Sequence, residues 1–406
     1  MSKARRLSPA AAITAGLVLF PLAAPAAAAS EESAGALQQA RWVAMGDSFQ
    51  SGVGTGEFDE ESGECLRSPL SHVNLLNKDG SVPGKLDFVA CRSADIDDLY
   101  AGQHGEPPQM DAVRRGGEEI THVTVGVGGN DLGYSDVLRD CILYGWVWSS
   151  CASRYDDQVQ EKFDEVTAAA PETGLNGFET LYTDIRAEVD PDSATVAAIT
   201  YPRFFPVDGG SDWSSILFQP RCNNIRVSDQ LWINNWIRRM NNAIEGAARS
   251  TGTRPVDLYD ASEGHELCNP ASNEDYLNGI RFDPNAFHPT RFGYAANADA
   301  IRSQLDAEPV LPVSARSRQP AQPHRPPRTH MDLHQDGAAI TADASGSTKG
   351  DGSLEIYLWE FDDGEIDEGE SVTHRYEEPG AYYLTLTVID SNGEMGFSAP
   401  AEITVG

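Results

Sequence analysis

The chain has 406 residues, with 62 acidic against 30 basic side chains and a formal net charge of −32. A surface this acidic repels nucleic acid and anionic membranes, so neither is expected as a partner. The length accommodates one large domain and a smaller one, with a substantial core that needs no staples.

At the N-terminus, Lys3, Arg5 and Arg6 precede an apolar run over about residues 10–24, then Ala26-Ala27-Ala28-Ala29-Ser30. This is the pattern of a removed secretory signal, read here as residues 1–29. Pro21 and Pro25 interrupt the run, whereas a membrane anchor needs about 18 to 20 unbroken apolar residues. The expectation is a secreted, extracellular monomer without stable membrane insertion. Losing three basic residues would take the net charge to about −35. Six cysteines in an exported chain suggest disulfides. They fall into sequential couples, Cys65 with Cys91, Cys141 with Cys151 and Cys222 with Cys268, among the 15 connectivities that six cysteines allow. No Cys-x-x-Cys pair argues for zinc, and neither metal nor cofactor is expected.

From residue 41 to about 306, short apolar runs alternate with longer amphipathic ones. Strands are expected at 42–45, 120–127, 194–200 and 254–258, the first three apolar enough for a parallel sheet buried on both faces. Asp229 is expected to cap a helix in which Leu231, Trp232, Trp236, Ile237, Met240 and Ile244 recur at helical spacing. Phe178, Leu181, Ile185 and Val189 mark another helix. Together they predict an α/β domain over residues 38–306, with a parallel sheet and helices on both faces.

Residues 307–330 are rich in proline with basic residues between, and read as a semi-rigid linker. Beyond it, residues 331–406 show short alternating segments separated by Asp-Gly, Pro-Gly and Asn-Gly turns, as in a small β-sandwich. Tyr357-Leu-Trp-Glu-Phe-Asp-Asp-Gly, with Asp343-Ala-Ser-Gly-Ser-Thr, His374-Arg-Tyr and Leu386-Thr-Val-Ile-Asp-Ser-Asn-Gly, resembles the PKD family of Ig-like domains. Asp362 stands where that family prefers Gly, which Asp tolerates in a left-handed backbone. The resemblance implies an accessory module that contacts a polymer or a protein. Its acidic residues are read as solvated charge rather than as a calcium site.

Trp42-Val-Ala-Met-Gly-Asp-Ser48-Phe runs from an apolar strand into a tight bend, which would lift Ser48 to the carboxyl edge of the sheet as a candidate nucleophile. Such a serine needs a base, a group that orients the base and donors for an oxyanion. Of His72, His104, His122, His265 and His288, the last stands in a loop before the final expected helix, in Asp283-Pro-Asn-Ala-Phe-His288-Pro-Thr. Asn130, in Val127-Gly-Gly-Asn130-Asp, would emerge at the same sheet edge, where a side-chain amide facing an oxyanion is worth about 3 to 4 kcal/mol.

Ser48 in Gly-Asp-Ser-Phe, Asn130 in Gly-Gly-Asn-Asp and His288 before Pro289, in this order, resemble the GDSL, or SGNH, hydrolases over about residues 41–306. Gly46-Asp-Ser-Phe-Gln-Ser-Gly-Val-Gly, Ala90-Cys-Arg-Ser-Ala, Tyr201-Pro-Arg-Phe, Gly264-His-Glu-Leu-Cys and the three-couple cysteine layout are similar to the secreted actinomycete lipase and esterase branch. The resemblance implies a three-layer, flavodoxin-like fold, an acyl-enzyme on Ser48, His288 as base, and an oxyanion hole of Ser48, Ser93 and Asn130. Two departures stand out. Ser93 occupies the position of a family glycine, and Asn285 stands where the usual Asp-x-x-His supplies a carboxylate. Three replacements for that carboxylate are open: the Asn285 side chain, a backbone carbonyl of Asn285 or Ala286, and Asp283. A main-chain carbonyl completing a Ser-His dyad is the favoured reading.

Trp146 and Trp148, in the loop between Cys141 and Cys151, and Tyr201, Arg203, Phe204 and Phe205 after a strand end, are candidates for an acyl-chain wall. They favour a lipid or aryl ester substrate. The rival readings are a carbohydrate esterase and a non-catalytic binding protein on the same scaffold.

Overall fold

The computed structural model describes residues 40–144, 150–207, 209–210, 225–279, 281, 283–306 and 325–406. The expected signal segment, most of the linker, Trp146, Trp148 and Cys222 lie outside the described residues. Strands β1 (Arg41–Gly46), β2 (Lys85–Phe88), β3 (Ile120–Gly126), β4 (Thr195–Ile199) and β5 (Arg254–Val256) form one parallel sheet in the order β2-β1-β3-β4-β5. The helices are α1 (Ser48–Ser51), α2 (His72–Asp79), α3 (Ile96–Ala101), α4 (Met110–Gly116), α5 (Tyr134–Tyr144), α6 (Cys151–Thr167), α7 (Gly177–Ala187), α8 (Val227–Thr251) and α9 (Arg291–Leu305). Two apolar clusters cover the two faces of the sheet. Val43, Met45, Val123 and Val125 pack with Phe178, Trp232 and Trp236, whereas Trp42, Ala44, Ala197 and Ile199 pack with Val73, Leu76 and Ile301. Alternate residues of each central strand thus face opposite layers, which is why these strands read as continuous apolar runs.

The four expected strands are present, β1 one residue longer at each end and the other three trimmed, and β2 is an addition. Its partly exposed Lys-Leu-Asp-Phe sequence on the sheet edge carries no buried run to betray it. In α7, Phe178, Leu181 and Ile185 are buried as the spacing predicts, while Val189 lies just past the helix.

Asp229 does not cap α8. The helix begins earlier, at Val227, with Arg226 in the cap position and no side-chain cap of its own. The buried Asp229 carboxylate instead accepts from the Cys151 N–H at the start of α6 (2.6 Å). The acceptor at the start of α8 comes from the C-terminal module: the Glu360 carboxylate takes the Ser228 N–H at 3.1 Å.

That module comprises β6 (Asp332–Asp336), β7 (Ala339–Asp343), β8 (Leu354–Glu360), β9 (Ile366–Glu368), β10 (Ser371–Arg375), β11 (Gly380–Asp390), β12 (Met395–Phe397) and β13 (Ala401–Val405). They pair antiparallel as β10-β7-β6 and β12-β11-β8-β9, with β13 added to β11, around Trp359, Phe361, Tyr376 and Leu386. It is the expected β-sandwich. Asp362 adopts the left-handed backbone (φ 66°), and its carboxylate accepts from the Tyr383 N–H and faces Arg226 at 3.3 Å. Arg239 faces Glu394 at 3.7 Å, and Val227 and Leu231 pack on Met395, Leu358 and Phe397. The sandwich is therefore docked on α8 through buried charges and a small apolar patch.

Disulfides join Cys65 to Cys91 and Cys141 to Cys151. Cys268 is also disulfide-bonded, its expected partner Cys222 lying outside the described residues. Removing one member of a buried ion cluster leaves its counter-charges desolvated. Arg226→Ala should accordingly cost about 3 kcal/mol in denaturant unfolding of the full chain.

Candidate active site

At the end of β1 the chain turns sharply. Gly46 has φ 131°, and a Cβ there would lie 2.0 Å from the Gly126 oxygen, so no other residue fits without displacing β3. The Gln109 carboxamide grips both backbone groups of Gly46 (2.7 and 3.0 Å), and the Asp47 N–H donates to Gly126 O (3.0 Å). Asp47 then caps α1 by accepting from the Phe49 N–H (2.9 Å), and Ser48 opens that helix.

His288 arrives from the loop before α9. Its carbonyl accepts from the Asn278 backbone N–H (2.8 Å) and side-chain amide (3.0 Å), and Pro289 bridges to Leu277. Gly54 lets this loop close on the Ser48 turn: a Cβ there would lie 2.3 Å from Pro289 O. His288 Nε2 sits 2.8 Å from Ser48 Oγ, and Nδ1 sits 2.8 Å from the Ala286 carbonyl oxygen. A carbonyl can only accept, so Nδ1 carries the proton and bare Nε2 is left to accept from the serine hydroxyl.

The other two candidates for orienting His288 point elsewhere. Asn285 Oδ1 accepts from the Gly54 N–H (3.0 Å). Asp283 accepts from the Asn285 N–H (2.9 Å) and pairs with Arg281 (3.0 Å), which holds its carboxyl below the usual range. Burial disfavours the imidazolium and lowers His288 to about 4, while the bond to Ala286 pulls the other way.

Ser93 lies two residues past Cys91 in the loop stapled by the Cys65–Cys91 disulfide, with a left-handed backbone (φ 63°) that its β-carbon disfavours. Asn130 follows β3, and its amide nitrogen donates to Ala94 O (2.9 Å), tying the two loops together. Ser48, Ser93, Asn130 and His288 line one cavity of about 510 Å³. Its remaining wall is mostly apolar, including Phe49, Val53, Leu138, Phe204, Ile237, Met240 and Phe287, with Arg92 and Arg281 as its cations.

Of the four residues read as a wall after β4, Tyr201 and Phe204 line this cavity. Arg203 does not: it is buried against Glu266 (2.7 Å) and Asp260. Phe205 is buried in the core instead. Sequence reading did not single out the Gln109 clamp, a glutamine in a Pro-rich turn with no motif around it.

The profile of the GDSL-like lipase/acylhydrolase family matches residues 44–296. The chain belongs to that family. A PKD domain profile matches residues 322–405. The chain is 28% identical over 284 residues to Lipase 1 of Streptomyces coelicolor, covering 68% of this chain and 91% of that protein. It is 29% identical over 301 residues to a lipase of Streptomyces rimosus, covering 71% and 95%. Among solved structures it resembles phospholipase A1 from Streptomyces albidoflavus (26% identity, TM-score 0.51, 65% of this chain and 99% of that one). The extracellular lipase from S. rimosus has the same fold (24% identity, TM-score 0.52, 65% and 99%). As a member of the GDSL family, the protein is an ester hydrolase.

Two physical consequences follow. Between pH 6.5 and about 4 the unfolded chain binds a proton at His288 that the folded chain does not, so folding stability should fall across that window. Nitrogen-15 NMR of the histidines should place His288's proton uptake near 4. Ser93→Gly removes a left-handed strain of about 1 to 2 kcal/mol and adds about 0.5 to 1 kcal/mol of glycine entropy. Chemical denaturation should therefore register a net stabilisation of about 0.5 kcal/mol.

Proposed function

We propose that this ester hydrolase is a secreted lipase that works through an acyl-enzyme on Ser48, with His288 as its side-chain base. The chain of contacts from Ser48 Oγ through the His288 ring to the Ala286 carbonyl, at the wall of an apolar cavity, carries the reading. Ser48 Oγ attacks the ester carbonyl carbon and its proton passes to His288 Nε2. The carbonyl oxygen, now anionic, is received by the N–H groups of Ser48 and Ser93 and by the Asn130 amide. The intermediate collapses, and the departing alkoxide takes the proton from His288. Water then repeats the sequence on the acyl-enzyme and releases the acid. The Ala286 carbonyl fixes the tautomer and offers a dipole to the imidazolium, the part a carboxylate plays in a triad.

Secretion is supported by the basic and apolar N-terminal pattern and by the disulfides. The apolar lining supports a lipid acyl chain. Arg92, paired with Glu64, and Arg281, paired with Asp283, stand on the cavity wall, where a substrate phosphate would compete with those exposed carboxylates, in line with the phospholipase name of one structural relative.

Ser48→Ala should abolish covalent labelling by an alkyl organophosphonate and lower kcat by at least about 1000-fold; labelling that persists at another residue refutes the assignment. Asp283→Ala in folded protein should keep kcat within about tenfold, because its carboxylate does not touch the imidazole. A loss on the scale of a missing triad aspartate, about 10,000-fold, would show that Asp283 and not Ala286 serves His288. Arg281→Ala should reduce selectivity for phosphatidylcholine over a p-nitrophenyl ester by about fivefold in kcat/KM.

A further inference from the structure

Behind Ser48 lies a polar chain that the proposed chemistry does not use. Asp47 and Tyr201 are 1% and 4% exposed. The Tyr201 hydroxyl donates to Asp47 Oδ2 at 2.5 Å and accepts from the Gly129 N–H at 3.2 Å. Asp47 follows β1 and immediately precedes Ser48; Gly129 follows β3 and immediately precedes Asn130; Tyr201 follows β4. One oxygen therefore ties together the carboxyl ends of three neighbouring strands. The bridge needs a group that gives and takes a hydrogen bond at once. An ionised carboxylate only accepts and a backbone N–H only donates, so a hydroxyl is the side-chain group suited to sit between them.

Tyr201 is itself held at its backbone and at its ring. The Asn241 carboxamide from α8 accepts from the Tyr201 N–H (3.1 Å) and donates to its carbonyl (2.7 Å). The ring meets Phe49 edge-on, with centroids 5.0 Å apart. Little about this residue can move without moving the helix behind it.

We infer that Tyr201 is a positioning residue that locks the Ser48 turn and the Gly129–Asn130 donor loop into one rigid unit, so that the oxyanion forms where its donors already stand. Burial raises the Asp47 carboxyl to about 7, with the Tyr201 bond pulling it back down, which accords with a carboxylate that depends on the phenol for its solvation. Without the phenolic oxygen, Asp47 Oδ2 and the Gly129 N–H lose the group that ties them to each other. Small displacements of a donor relative to the reacting carbon are costly, since a 1 Å misplacement can cost about 100-fold in rate.

The inference rests on the Ser48 and His288 reading, and the experiment separates the two. In the full chain, Tyr201→Phe is compared with the unsubstituted protein using an alkyl trifluoromethyl ketone and the matching secondary alcohol as inhibitors. Ser48 Oγ adds to the ketone carbon, its proton passes to His288, and the ketone oxygen becomes an oxyanion; the alcohol fills the same cavity without forming one. The ketone inhibition constant should rise about 10- to 100-fold and kcat on a p-nitrophenyl ester should fall by a similar factor. The alcohol inhibition constant and KM should stay within about twofold. Equal weakening of both inhibitors, or kcat within about threefold of the original, overturns the inference. If Tyr201→Phe does not fold, Asp47→Asn decides by the same readings, because it keeps an acceptor for the Phe49 N–H while removing the charged partner of the phenol. Failure of an organophosphonate to label Ser48 in the unsubstituted protein overturns the catalytic reading and this inference with it. Labelling without the selective loss overturns this inference alone.

Discussion

The carboxyl ends of β1 and β3 meet at Gly46 and Gly126 more closely than any residue with a β-carbon would permit. That approach decides where Ser48 can stand. It brings the Asp47 N–H onto Gly126 O and leaves the Asp47 carboxylate free to cap the four-residue helix that Ser48 begins. The same geometry sets the Ser48 turn beside the loop that leaves β3, so the serine and the Asn130 amide reach one cavity without any long connection between them. A strand pairing that serves the core also fixes the spacing of the chemistry.

The second constraint is electrostatic. Asp47 and Asp131 are held in the interior near the cavity, and burial pushes their carboxyls up to about 7 and about 6. A further carboxylate beside His288 would add another desolvated anion to a strongly acidic chain. A backbone carbonyl avoids this. It fixes the same tautomer through the same Nδ1 bond and carries only a dipole, so burial still holds the histidine's proton affinity low although the Ala286 bond raises it somewhat.

Much of this was legible in the order of residues, because it depends on local grammar. The three apolar runs, the Gly-Asp-Ser bend and the histidine before a proline each announce an element or a turn by themselves. What could not be read is what crosses the chain. The preferred dyad named a main-chain carbonyl, yet only the folded loop distinguishes Ala286 from Asn285, whose side chain is committed to Gly54. Asp229 looks like a cap for the helix it belongs to and serves another one, since the cap for α8 comes from a residue 132 positions away. Gln109 leaves no periodic or motif signal, and Tyr201, though it opens a motif and was read as cavity wall, gave no sign of its bridge to Asp47 and Gly129, because each acts on a neighbour that the sheet, not the sequence, supplies.

The exchange of glycine for Asp362 in the C-terminal module has a consequence for how such proteins are assembled. Here the carboxylates of Asp362, Glu360 and Glu394 face Arg226, the start of α8 and Arg239, side chains and backbone that belong to the other module. A related sandwich with glycine at position 362 would fold as well and fit less well. The two modules carry matched halves of one charge pattern, and a recombination event that swapped either alone would separate them.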